Sequence, residues 1–412
     1  MGETHLTPEI ARHIIETVGG SGIPPEYGFQ FFSVGLESYL KVIEDEYLTS
    51  YIRDGGAAFK MVIGMYGGGK THFLYSIREI AWKHNYVVSY FPLSPDRTPF
   101  HRLDLVYAAI AANLIYPQEP SELIGGYERG IDSLIKRWFM DMVRRYREAG
   151  IPDERMRREL NTYVSSLGGY QSTSFRNAVR HAFLALLDKR DEDFNNIVQW
   201  LKGEGYDRAI HRRYGILQKI DKSSAFQMIR SLIEWVRDIG YTGLVVLMDE
   251  AERIPSMSSR QRESLLNNLR ELIDECGHTG FRNAMFFYAV PDDSFLEGRA
   301  QIYEALRQRL STVFDEELNP TGVRIDLEKA EVDPVLDLNQ IGMKLARIYE
   351  TAYGLRLPRR ELAETVLNIA RGAYNRRYGD VGYKRLFVQK VIQGFHKLRT
   401  SGEAVSAEEV GL

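Results

Sequence analysis

Two short stretches of this chain carry residues that could do chemistry. Residues 62–74 read VIGMYGGGKTHFL, in which Gly64, Gly67, Gly68 and Gly69 surround a single cation, Lys70. Gly64 through Thr71 fits G-x-x-x-x-G-K-[ST], the spacing of a phosphate-binding loop. Glycine accepts positive φ and lets backbone N–H groups approach phosphate oxygens with no Cβ in the way. Lys70 is expected to reach the β- and γ-phosphates of ATP, and the Thr71 hydroxyl to ligate Mg²⁺. His72 follows as a further nucleotide contact. The second stretch, LVVLMDEAER, ends an apolar run on Asp249 and Glu250. Asp249 is expected to join the Mg²⁺ shell, and Glu250 to orient and polarise the attacking water. Each stretch alone has a plain alternative, a glycine-rich turn or an acidic helix start. Together they predict an ATP–Mg²⁺ site built for hydrolysis.

The surrounding elements are those such a site requires. AFKMVIG reads as a buried strand entering the loop, and THFLYSIREIAWKH as a helix leaving it, with Phe73, Leu74, Ile77, Ile80 and Ala81 on one face. Further strands are predicted at 86–91, 243–250, 284–290 and near Val323. Apolar strands alternating with helices predict an α/β fold with a parallel sheet covered on both faces. Asp249 and Glu250 then emerge at its C-terminal edge, where open α/β sheets bind ligands. Upstream, Ile10, Ile14, Ile15 and Val18 mark a helix, GGSGIPPEYG breaks it, and a second helix covers 35–51.

The span between the second and third strands is far longer than a crossover needs. Its helical pattern includes SLIKRWFMDMVRRYREAG, where Leu134, Ile135, Trp138, Phe139, Met142, Val143 and Tyr146 form one apolar stripe. The tail repeats such a stripe with Leu386, Phe387, Val391, Ile392, Phe395 and Leu398. The expected division is an N-terminal helical linker (1–55), a P-loop core (56–126 and 241–332), a helical insertion (127–240) and a helical lid (333–412).

Composition excludes several classes. A net charge of −3 gives no global attraction to nucleic acid or anionic membrane, so any such contact needs a local patch. The single cysteine, Cys276, allows no internal disulfide, and no Cys/His cluster offers a zinc site. The first residues lack a signal-peptide apolar core, and no apolar run approaches the ~20 residues of a membrane span. A cytoplasmic protein is expected.

The chain resembles an AAA+-type ATPase of the additional-strand class, and within it the BREX phage-defence ATP-binding proteins, the BrxD-like P-loop family. The resemblance rests on GIPPEYG and FFSVGLE near the N-terminus, YGGGKTHFL, VVSYFPLSPDRTPFH and GYTGLVVLMDEAER, and spans most of residues 10–400. The two nucleotide motifs are shared by many families; LSPD and the block leading to DEAE are more specific. The resemblance implies an ATPase that self-associates and works with other defence or DNA-processing proteins, helicases among them.

It also implies roles for residues outside the two motifs. A polar sensor is expected after the fourth strand; Val290-Pro291 stands there, so Asp292 is the candidate, against a solvated turn. Arg307 and Arg309 follow that strand, where such folds carry an arginine finger for a neighbour's γ-phosphate; an ordinary surface helix fits equally. Lys384-Arg385 opens the last apolar helix and suits a lid sensor, Arg385 being the expected nucleotide contact. Tyr27 to Gly35 would line the adenine pocket or pack as core.

Basic residues in 136–158 offer a DNA contact, but Asp141, Glu148, Asp153, Glu154 and Glu159 are interleaved, as on a solvated face. His101-Arg102 and His211-Arg212-Arg213 are weaker candidates. Three functions compete: an ATP-hydrolysing remodeller or loader of a DNA-processing partner, a slow nucleotide-gated adaptor, and a DNA-binding initiator. The last would need a winged-helix domain after the lid, for which little chain remains.

Overall fold

The computed structural model describes residues 5–118, 126, 128–249, 257–277, 280–292, 301–314, 319–328, 333–377 and 382–412. Its centre is a sheet of β1 (Ala57–Ile63), β2 (Val87–Pro92), β3 (Leu114–Ile115), β4 (Leu244–Asp249), β5 (Ala284–Val290) and β6 (Arg324–Asp326). The spatial order is β3-β2-β4-β5-β1-β6. All neighbours are parallel except the β2–β3 pair. β5 therefore lies between β1, which feeds the glycine-rich loop, and β4, which ends on Asp249.

Alternate strand residues enter two different cores. Phe59, Met61, Val246, Met248, Phe286 and Tyr288 face one side; Val62, Val245, Leu247, Met285 and Phe287 face the other. This is the period-2 alternation of a pleated strand with both faces buried. The first side is covered by α4 (Leu103–Ala112), by the helices of the long span and by α11 (Ser259–Gly277). Those of the long span are α5 (Ile131–Glu148), α6 (Asp153–Ser166), α7 (Thr173–Leu187), α8 (Asp191–Leu201), α9 (Arg208–His211) and α10 (Ala225–Asp238). The apolar stripe of α5 is used as its spacing predicts: Leu134, Ile135 and Trp138 are fully buried, and Phe139, Met142, Val143 and Tyr146 pack against them. α12 (Gln301–Arg309) adds Leu306 to the same core.

The second side is covered by α1 (Pro8–Ser21), α2 (Glu37–Val42), α3 (Lys70–Lys83), α13 (Pro334–Tyr353), α14 (Arg359–Asn375) and α15 (Tyr383–Ser401). α1 packs directly on α13 and α15. The Arg12 guanidinium lies over the Tyr353 ring at 4.4 Å. A Cβ at Gly19 would meet Ile392 at 3.2 Å, so the missing side chain lets α1 approach α15.

Two expectations change. The helix expected over 35–51 is α-helical only to Val42; residues 43–51 are wound as a π-helix, ending with Ile52 N–H donating to Tyr47 O at 2.8 Å. Thr49 and Ser50 donate their hydroxyls to the Asp45 carbonyl, at 3.1 and 3.0 Å, so side chains compete for helix acceptors there. The antiparallel edge strand β3 was not expected; two residues are too few to show alternation.

Lys60 is a buried cation in β1, 1% exposed. Its ammonium donates to Tyr47 OH at 2.7 Å, Gly322 O at 2.6 Å and Pro320 O at 3.2 Å. It lies over the Tyr47 ring at 4.3 Å. Burial pushes its pKa down to about 7. These contacts tie the π-helical stretch to the segment entering β6. Lys60→Met fills similar volume but takes the donor from the Gly322 carbonyl and the Tyr47 phenol oxygen. It should lower unfolding free energy by about 2 kcal/mol in urea titration. An unchanged midpoint would show that these contacts contribute nothing net.

Candidate nucleotide site

The glycine-rich loop joins β1 to α3 at the C-terminal edge of the sheet. Gly67 and Gly69 have φ of +75° and +99°, which a side chain would strain. A Cβ at Gly67 would also stand 3.0 Å from Gly382 Cα, where the start of α15 closes on the loop. The Lys70 ammonium folds back on the loop, donating to Gly64 O at 2.6 Å and Met65 O at 2.9 Å. Met65 N–H donates to the Glu328 carboxylate just after β6, at 2.8 Å. The first peptides of the loop are thus held between a cation on α3 and a carboxylate on the sheet side.

Thr71 Oγ1 donates to Asp249 Oδ2 at 2.7 Å, and Asp249 is 1% exposed. Tyr90 OH donates to the same oxygen at 2.9 Å. Burial and the neighbouring Asp249 charge push the Tyr90 phenol up, so it stays protonated and a donor. Hydroxyl and carboxylate oxygens are the hard donors Mg²⁺ takes, so Thr71 and Asp249 fit a magnesium shell by donor type.

A pocket opens over the loop. Its floor is 66–72 with Asp249. One apolar wall comes from the N-terminal segment, with Val18, Ile23, Pro24, Phe32, Val34 and Leu36; the facing wall is Leu338 and Ile341 of α13 and Val388 of α15. A polar, backbone-rich floor beneath two apolar walls suits a phosphate chain carrying a flat base.

His72 lines the pocket, with Nε2 2.5 Å from Ser33 Oγ and edge contacts to Phe29 and Phe32. Ser33 O accepts from Lys344 of α13. Desolvation, then the charges of Lys384 and Lys344, pushes His72 down to about 4, so it is neutral at physiological pH. From α15, Lys384 Nζ donates to Gly68 O at 3.1 Å, while Arg385 donates to Ser21 O at 2.9 Å and Tyr66 OH at 2.6 Å. Both line the pocket, but Lys384 is the one bonded to the loop backbone, whereas Arg385 joins α15 to α1 and Tyr66.

Of the expected site residues, Gly67, Gly68, Gly69, Lys70, Thr71, His72, Asp249 and Arg385 line this pocket; Gly64 lies beside it, its carbonyl on Lys70. Glu250 lies outside the described residues. Within 27–35, Phe32, Val34 and Gly35 line the pocket, while Tyr27 and Phe29 are core. Asp292, Arg307 and Arg309 do not line it. Arg309 forms a two-point ion pair with Asp274 of α11, at 2.5 and 3.0 Å; Arg307 is exposed on α12.

A family model, the BREX system ATP-binding protein BrxC/D, matches residues 6–411. The chain belongs to this family. No curated protein and no solved structure matches it. Membership in the BrxC/D family makes this an ATP-binding protein of a phage-defence system.

Other candidate surfaces look different in three dimensions. Some of the arginines of α5 and α6 are paired with acidic neighbours: Arg137 and Arg144 on Asp141, Arg155 on Glu159, and Arg157 on Asp188. His211 is buried, its Nδ1 accepting from Asp207 N–H at 2.9 Å and its Nε2 3.1 Å from the Asn196 carbonyl oxygen. Arg102 pairs with Asp104. No helix among the described residues is long and apolar enough to cross a membrane, and no group of three or more His, Cys, Asp or Glu there could hold a metal ion. Sequence reasoning missed Tyr90, Glu328 and the α13 wall. Tyr90 had one signal: it is the polar-tipped side chain near the end of a strand beside β4.

Proposed function

We propose that this protein is a P-loop ATPase of the additional-strand AAA+ type, hydrolysing ATP and coupling turnover to the remodelling or loading of a DNA-processing partner in phage defence. The observation that carries this is the juxtaposition of Lys70 and Thr71 with Asp249 across β5, the strand between loop and acidic strand. In this reading the backbone of 67–71 and Lys70 bind phosphates, and Thr71 and Asp249 hold Mg²⁺. His72 and the apolar walls seat the nucleoside, and Lys384 and Arg385 bring lid charge to the loop. Mg²⁺ would offset phosphate charge when bound. Glu250, next after Asp249, would orient water and accept its proton.

The core is 56–126 with 241–332 and the insertion is 127–240. The lid is 333–412, with α1 of the 1–55 segment packed onto it. Self-association would supply a finger from a neighbour, Arg307 or Arg309; Arg309 would first have to leave Asp274. Partners such as a helicase follow from the family's system rather than from any surface, and direct DNA contact would use the basic residues of the insertion. Steady-state ATPase with and without DNA tests the reading; no Mg²⁺-dependent turnover in either case would refute hydrolysis and leave the adaptor.

The finger is tested by mixing. Alanine at the finger, by Arg307→Ala or Arg309→Ala, should cut kcat by about 10³-fold with ATP binding retained. Mixed with Lys70→Ala, it should regain activity, since a mixed interface joins one intact pocket to one intact arginine. A monomer with full activity by light scattering and ATPase assay would exclude a finger in trans.

A further inference from the structure

Four polar side chains meet on the sheet face that α3 covers. Thr71 and Tyr75 stand one turn apart on α3, so they project from the same side of the helix. Tyr90 lies two residues before Pro92, the residue paired with Asp249 in the parallel β2–β4 register. Side chains two apart in a strand share a face, so Tyr90 and Asp249 both rise toward α3. Tyr90 OH donates to Asp249 Oδ2 at 2.9 Å, the oxygen that also takes the Thr71 hydroxyl at 2.7 Å. The Tyr90 ring meets the Tyr75 ring edge-on at 5.0 Å, which fixes its orientation.

We propose that Tyr90 is a positioning residue for the metal that accompanies the nucleotide. This rests on the reading of Thr71 and Asp249 as the magnesium-binding pair. One carboxylate oxygen carries two hydroxyl donors with different prospects. Thr71 is the group whose oxygen a metal would recruit. Tyr90 lies behind, on the sheet, with its phenol aimed at the carboxylate and not at the loop. It keeps Asp249 oriented whether or not Thr71 is engaged. A carboxylate that loses a donor is less tightly oriented, and the metal would have to order it on binding. Asp249 therefore presents a pre-aligned oxygen because Tyr90 holds it, and the expected signature is metal affinity rather than nucleotide affinity.

The test uses Tyr90→Phe, which keeps the ring against Tyr75 and removes only the hydroxyl. ATP binding to the full chain is measured by calorimetry across a Mg²⁺ series and again in EDTA, with thermal unfolding checking the fold. The expected result is a roughly tenfold rise in the Mg²⁺ concentration that half-saturates the metal-dependent gain in ATP affinity, with affinity in EDTA unchanged. In an Asp249→Asn background the same substitution should add little, because the group it positions is gone. An unaltered Mg²⁺ midpoint would overturn the proposal, as would equal weakening with and without metal, which would make Tyr90 only a packing residue. If wild-type binding shows no Mg²⁺ dependence, the reading of Thr71 and Asp249 fails and this proposal with it. Metal dependence in the wild type with no change in Tyr90→Phe sinks this proposal alone.

Discussion

Lys70→Ala should lower ATP affinity by on the order of 100-fold in calorimetry, the scale of a lost charge-assisted contact to phosphate. Lys70 is the only side-chain cation within the loop itself, and phosphate charge is poorly offset by backbone amides alone. Its ammonium already lies within the loop, on Gly64 O and Met65 O, and short side-chain rotations would carry it from those carbonyls to a phosphate. Those two contacts also mean that alanine relaxes the loop. Lys70→Met controls for this by keeping the aliphatic stem without the charge, and it should bind as weakly as alanine. If either variant binds ATP as tightly as wild type, the site has been assigned to the wrong loop.

Glu250→Gln should separate binding from hydrolysis. The amide keeps the shape of the side chain but cannot accept a proton from water, so turnover should fall at least ~100-fold, the lower range for a lost general base. ATP affinity should persist, because phosphate binding in this reading is the task of the loop and Mg²⁺ binding that of Thr71 and Asp249. The measurement is single-turnover hydrolysis on protein free of contaminating ATPase, with affinity taken in parallel. Turnover equal to wild type would remove Glu250 from the mechanism; joint loss of binding and turnover would make it a structural or metal-holding group.

The parts legible in the sequence were those written contiguously. The loop, the helix that follows it and the acidic end of β4 each occupy one unbroken string, in which glycine spacing and apolar runs report directly on backbone needs. The buried stripe of α5 was legible for the same reason, since helical periodicity records which face is covered. What escaped depends on distant residues meeting. The Tyr90–Asp249 bond spans two strands far apart in the chain, and Arg309 finds Asp274 on another helix. Neither pairing leaves a local pattern. The apolar wall from α13 and α15 reads in sequence as ordinary core stripe, because Leu338, Ile341 and Val388 follow helical spacing whether they face a neighbour or a ligand. The basic look of 136–158 is only partly offset once the helices form, with Arg137 and Arg144 on Asp141 and Arg155 on Glu159.

The packing of α1 onto α13 and α15 makes the two ends of the chain a single mechanical body. That body also meets the glycine-rich loop: Gly382 lies against Gly67, Lys384 donates to Gly68 O and Arg385 to Tyr66 OH. The same cavity is bordered by Ile23, Pro24, Phe32, Val34 and Leu36 on one side and by Leu338, Ile341 and Val388 on the other. Whatever fills that space therefore touches the loop, the N-terminal segment and the joined chain ends at once.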